Sequence, residues 1–154
     1  MDDSNLTAAV GEAIQKHGFL EELQKILDDT DITVANLKPT CKACGKCCHF
    51  EEMPHRLYAS TGEIALLVAK TPPSITPLLT CPYQHGNICT NRKSRPLGCR
   101  TFFCEELQDK PITALLQDAY EKSHGKITKL HTRYEICYQY RELTQACAEL
   151  VCCE

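Results

Sequence analysis

The sequence is 154 residues long, with 17 basic and 20 acidic side chains and a formal net charge of −3. That balance leaves no electrostatic footprint for nucleic acid or an anionic membrane, and no apolar run reaches the roughly 20 residues that span a bilayer. The outlying number is twelve cysteines, in a chain with no tryptophan and four phenylalanines, so the core has to rely on Leu, Ile, Val, Ala, Tyr and Cys.

The length is that of a single domain, and the sequence divides into three parts: a helical segment over 1–40, a cysteine-rich region over 41–104 and helices over 105–154. In the first part Leu6, Val10, Ala13, Ile14 and His17 fall near one helical face, with His17 expected as a satisfied core histidine. After Gly18 a second stripe follows in Phe19, Leu20, Leu23, Ile26 and Leu27, and Asp28-Asp29-Thr30-Asp31 reads as a polar stop. Pro39 stiffens the approach to the first cysteines.

The middle part reads as irregular, apart from one short helix. Ser60-Thr61-Gly62-Glu63 has the form of a capping box ahead of Ile64, Leu66, Leu67 and Val68, and Pro72, Pro73 and Pro77 enforce a loop after it. From Pro111 the stripe Ile112, Leu115, Leu116, Ala119 and Tyr120 predicts a helix that Gly125 ends, with Ile127, Leu130 and Tyr134 as a further turn set. Tyr140, Leu143, Cys147, Leu150 and Val151 predict a last amphipathic helix. The fold class is therefore mainly α: helices at both ends around an irregular, cysteine-built metal-binding centre.

The N-terminus, Met1-Asp2-Asp3-Ser4-Asn5, has neither the basic start nor the apolar stretch of a secretory signal, so a cytoplasmic setting is expected. Thiols stay reduced there, and this density of cysteine points to metal rather than to disulfides. In Cys41-Lys42-Ala43-Cys44-Gly45-Lys46-Cys47-Cys48 the two-residue spacing turns sulfurs toward one point, and Gly45 lets the backbone amides approach them. Lys42 and Lys46 favour the thiolate, which is the ligating form. A second block runs from Cys81-Pro82 to Cys89, and a third is Arg95-Pro96-Leu97-Gly98-Cys99-Arg100 through Cys104. Several thiolates carry negative charge that Arg95 and Arg100, flanking Cys99, would offset as cofactor-binding groups; the alternative is a solvated basic loop.

These three blocks, with Arg-Pro and Cys-Arg in their places, resemble the YkgJ-type cysteine-cluster family, whose CxxCxxCC domain is described as zinc- or iron-chelating. The resemblance covers Cys41 to Cys104 and implies the metal ligands Cys41, Cys44, Cys47, Cys48, Cys81, Cys89, Cys99 and Cys104. It does not account for the N-terminal helical segment or for Cys137, Cys147, Cys152 and Cys153.

The metal is left between zinc and an iron–sulfur cluster. Cys-x-x-Cys-Gly-Lys has the look of a zinc knuckle, and eight thiolates would make two closed tetrahedral sites. Three closely spaced thiolates suit a cubane, which favours iron–sulfur for the first block, although Cys81-Pro82 would have to supply the fourth ligand and its proline from further along. The adjacent Cys47 and Cys48 point apart and so serve different ions or one polynuclear cluster. The expected role is structural, redox or accessory, with no nucleic-acid or membrane partner.

Two rival readings remain at this level. One is a metal-dependent enzyme with an open coordination position, for which His49 or His85 would be the first candidates. The other is a metal-free thiol-redox module acting through Cys47-Cys48 and Cys152-Cys153. Simpler roles are expected elsewhere: Cys137 and Cys147 as small core hydrophobes, Cys152-Cys153 as a frayed tail, and Glu51-Glu52 as a solvated face. Tyr120, Tyr134, Tyr138 and Tyr140 are expected at the core or its edge, and His55, His124 and His131 have no partner pattern.

Overall fold

A computed structural model describes residues 5–39, 56–73, 80–86, 88–103 and 110–152. Its elements are α1 (Leu6–Gln15), α2 (Phe19–Leu37), β1 (Tyr58–Ser60), α3 (Thr61–Lys70), β2 (Gln84–His85), β3 (Ile88–Cys89), α4 (Leu97–Thr101), α5 (Lys110–Tyr134), β4 (Tyr140–Glu142) and α6 (Leu143–Cys152). Among the described residues a 3-10 turn lies at Arg92–Ser94. The architecture is mainly α, as the periodicity predicts. No described helix is long and apolar enough to cross a membrane.

Helix α1 begins where the Asn5 side chain accepts the Thr7 N–H, and it buries Leu6, Ala9, Val10 and Ala13. Gly18 adopts a left-handed φ of 85°, a conformation that costs glycine nothing, and turns the chain into α2. His17 is exposed in this turn and Ile14 is exposed on α1, so the predicted stripe reaches one turn too far.

The polar stop predicted at Asp28–Asp31 does not stop α2, which runs on to Leu37. Each polar residue of that run has a partner. Asp28 accepts from Gln24 and Asp29 pairs with Lys25, both at i−4. Thr30 is buried and shares a 2.7 Å hydrogen bond with Ser123 of α5, and Asp31 faces α4. Helix α2 then lies along α5, while α1 packs on α3, and α6 on α1 and α3.

Helix α5 likewise passes through Gly125, where the sequence predicts its end. The chain leaves it instead at Glu135, a non-glycine residue at φ 57°. The Ile136 N–H bonds the His131 carbonyl and the Glu135 N–H bonds the Thr132 carbonyl, the paired pattern of a Schellman end. Ile136, just past the turn, is buried in the core and anchors that end.

Among the described residues two small antiparallel pairs join the helices. β1 pairs with β4, Tyr58 opposite Glu142 and Ser60 opposite Tyr140, and β2 pairs with β3 across Gly86. One apolar cluster gathers Phe19, Leu23 and Leu27 of α2, Ile64 to Leu67 of α3, Ile127 and Leu130 of α5, and Leu143, Ala146 and Cys147 of α6.

Candidate metal centre

The described cysteines of the predicted ligand set all lie on the short-element segment 80–101. Pro82 follows Cys81 in a turn whose Cys81 carbonyl accepts the Gln84 N–H at 3.1 Å. The chain returns through β3, which sets Cys89 opposite Gln84, and the Thr90 N–H and hydroxyl both donate to the Tyr83 carbonyl. Asn91 then caps the C-terminal end of α3 by donating to the Leu67 carbonyl. After the 3-10 turn and Pro96, α4 carries Cys99, whose N–H bonds the Pro96 carbonyl at 3.0 Å.

The three sulfur-bearing side chains sit in different surroundings. Cys81 is buried in the core, while Cys89 and Cys99 are half-buried. Beside Cys81 lies Tyr83, whose hydroxyl donates to the Thr71 carbonyl at 2.9 Å. Burial holds the Tyr83 phenol well above its usual pKa, and the thiols of Cys147 and Cys81 add to that push. None of Cys81, Cys89, Cys99, Cys137 and Cys147 is joined in a disulfide. Among the described residues, no three His, Cys, Asp or Glu side chains form a metal-holding group. Cys41, Cys44, Cys47, Cys48 and Cys104 lie outside the described residues, as do His49, His55, Glu51, Glu52 and Cys153.

Arg95 and Arg100 take a different partner from the one their flanking of Cys99 suggests. Both turn to Asp31 of α2, at 3.6 Å and 2.5 Å. Arg100 is 1% exposed, which also removes the solvated-loop alternative for it. Its Nε donates to the Arg95 carbonyl, Nη2 to the Lys93 carbonyl at 2.6 Å, and Nη1 to both Asp31 and the Leu27 carbonyl. Burial pulls this guanidinium below its ordinary pKa and Asp31 pushes it back up. The planar fork of arginine is what lets one side chain meet four acceptors from two segments.

No family model, no curated protein and no solved structure matches this chain. The chemistry of the site rests on its own residues.

Contacts outside the sequence pattern position this segment. Glu63, read as half of a capping box, is buried; its Oε2 accepts from the Ser60 N–H and hydroxyl, and its Oε1 accepts the Leu97 N–H at the head of α4. His131 holds the Gly62 N–H. The capping box was legible at i, i+3; the bonds to Leu97 and His131 join distant stretches and leave no local signal. Cys147 is buried as expected, and burial pushes its thiol up to about 12. Cys137, expected at an apolar helical face, is instead exposed in the loop between α5 and β4. His85 is exposed on β2. Tyr120, Tyr138 and His124 gather at the core's edge, with the Tyr120 hydroxyl bonded to that of the more exposed Tyr140.

Proposed function

We propose that this chain binds an iron–sulfur cluster or zinc through thiolates drawn from Cys41, Cys44, Cys47, Cys48, Cys81, Cys89, Cys99 and Cys104, in a structural or redox role. The observation that carries the reading is how the described chain brackets the stretch 40–55. On its upstream side, α2 is bolted to the 92–100 segment through Arg100 with Asp31, and through Gln24, which donates to the Lys93 carbonyl. On its downstream side, Leu57 lies flat against Gly98, where a Cβ would come within 2.7 Å of its Cδ1. Both tethers of the Cys41–Cys48 block therefore converge on the segment that carries Cys99 and follows Cys81 and Cys89.

The donor chemistry is consistent with this. The described cysteines carry no disulfide, a state that suits ligation and the reducing cytosol. Bound metal would supply an electron-transfer centre if it is iron–sulfur, or a cross-link between the two tethered segments if it is zinc.

Anaerobic purification of the full chain, followed by elemental analysis and a visible absorption spectrum, tests the reading. The expected result is metal in at least equimolar amount, with a brown chromophore for iron–sulfur and none for zinc. A metal-free chain with all twelve thiols titratable and an unchanged helical signal would overturn it.

A further inference from the structure

His131 is a buried histidine with both ring nitrogens committed. It sits on α5 at 1% exposure. Nε2 accepts the Gly62 N–H at 3.0 Å. Nδ1 lies 2.8 Å from the Ile127 carbonyl, which can only accept, so Nδ1 carries the proton and the ring is neutral. The Gly62 N–H belongs to the first turn of α3, whose leading amides have no partner within the helix. Three separate elements serve them: Thr61 N–H donates to the Gln139 carbonyl, Gly62 N–H to His131, and Glu63 N–H to the Ser60 hydroxyl. Phe19 and Tyr138 meet the imidazole edge-on at 5.2 Å and 5.1 Å and hold its plane.

We propose that His131 is an acid-sensitive latch that closes α5 onto the N-terminus of α3 and opens when a proton is taken up at Nε2. The proton comes from solvent and adds to the Nε2 lone pair. The ring is then a donor at both nitrogens, the Gly62 N–H faces a donor, and its hydrogen bond is lost. The site has little to offer an imidazolium. Glu63 of α3 is the nearby carboxylate, and its oxygens are already held by Ser60 and Leu97. The positive end of α3 opposes a second cation, as does His124 on α5 itself. The loop after α5 presents Tyr138, and α2 presents the apolar Phe19, while Glu22 in that helix turns to Arg133.

Burial is the leading reason that His131 lies below its ordinary pKa, with the Ile127 carbonyl and Glu63 pulling the other way. An unfolded histidine takes its proton near about 6.5. The latch is therefore fully closed above that pH, and its contribution to stability is lost as pH falls from there through the lower folded value. Opening releases the first turn of α3, and with it the Glu63 carboxylate that holds the head of α4. An acid signal at α5 is thus carried to the segment 92–101, independently of any bound metal.

The test is side-chain nitrogen NMR of His131 and amide exchange of Gly62 in the full chain, with His131→Gln as the variant. Glutamine offers Oε1 as acceptor where Nε2 stood and does not titrate. The neutral Nδ1–H tautomer is expected at about pH 7, with a titration midpoint below the unfolded value. The opening constant of Gly62, corrected for intrinsic exchange, is expected to rise about tenfold per pH unit across that window. His131→Gln is expected to flatten the acid limb of the stability profile. An Nε2–H or charged ring at neutral pH, or the same acid limb in His131→Gln, would overturn the proposal. If the variant does not fold, the wild-type chain decides alone: Gly62 protection that persists while the ring titrates is equally fatal.

Discussion

Glu63 and Leu97 are joined by a 2.7 Å hydrogen bond from the Leu97 N–H to a carboxylate oxygen, across 34 residues of sequence. The same carboxylate closes the capping box with Ser60, so one buried anion sits at the N-terminal ends of both α3 and α4. Helix N-termini favour negative charge there, and three donors replace the water that the anion gives up. The contact ties α3 to α4, the helix that carries Cys99.

Replacing Glu63 by glutamine keeps the size and removes the charge. One amide nitrogen must then face either Leu97 N–H or the Ser60 donors, leaving buried groups unpaired. The expected loss is about 3 kcal/mol, read as a lower urea midpoint with an unchanged slope. Ser60→Ala removes the cap but leaves the Leu97 bond, and should cost about 1 kcal/mol. Equal effects for the two variants would show that the link to α4 contributes nothing.

Arg100 and Asp31 make a second, separable test. Arg100→Lys cannot reach the carbonyls of Arg95, Lys93 and Leu27 together with Asp31, so buried acceptors lose their donor; about 3 kcal/mol is expected. Asp31→Asn keeps every backbone acceptor satisfied and is half-exposed, so about 1 kcal/mol is expected. Denaturant unfolding that ranked Asp31→Asn as the more damaging change would assign the stabilisation to the ion pair rather than to the fork.

How much of this was legible follows from the range of each interaction. The Leu6–Val10–Ala13 stripe, the Ser60–Glu63 box and the Leu143–Leu150 stripe are local patterns, and the structure has helices at all three places. The ends of α2 and α5 lie beyond those the local pattern predicts, because the deciding partners are distant in sequence or belong to the tertiary core. Asp31 looks like a helix breaker until Arg100, 69 residues on, comes to it. Gly125 has the residue type of a helix end, but the left-handed residue is Glu135, held there by buried Ile136. Arg95 and Arg100 adjoin Cys99 in sequence, yet helical geometry aims Arg100 at α2.

Gly62 of α3 and Gly125 of α5 should respond oppositely to alanine. Alanine favours a helix over glycine by about 1 kcal/mol. At Gly125 a Cβ meets nothing within 4 Å, so Gly125→Ala should raise the melting temperature by a few degrees. At Gly62 it would lie 2.9 Å from Phe19 Cζ and 3.0 Å from His131 Cε1. Neither ring can swing away, and overpacking of this kind costs about 2 kcal/mol, more than the helical gain. Stabilisation by Gly62→Ala would contradict the close contact of α3 with Phe19 and His131.

Single cysteine variants separate ligation from packing. Cys89→Ser and Cys99→Ser remove half-buried thiols of the proposed set, and each should lower metal content by more than half in anaerobically purified protein, because serine is a poor substitute for thiolate. Cys137→Ser changes an exposed thiol and should leave both metal and stability as they were. Cys147→Ser places a hydroxyl in the apolar core at a cost of about 2 kcal/mol, with metal content retained. In the intact chain Cys147 should resist alkylation at neutral pH, since burial shields its thiol and pushes its pKa up to about 12. Chelation should expose the 80–101 segment to protease first, because α2 and α5 are held together by Leu23, Leu27, Ile127 and Leu130, none of which needs a metal. Metal loss in Cys137→Ser equal to that in Cys89→Ser and Cys99→Ser would mean that the ligand set has been drawn in the wrong place.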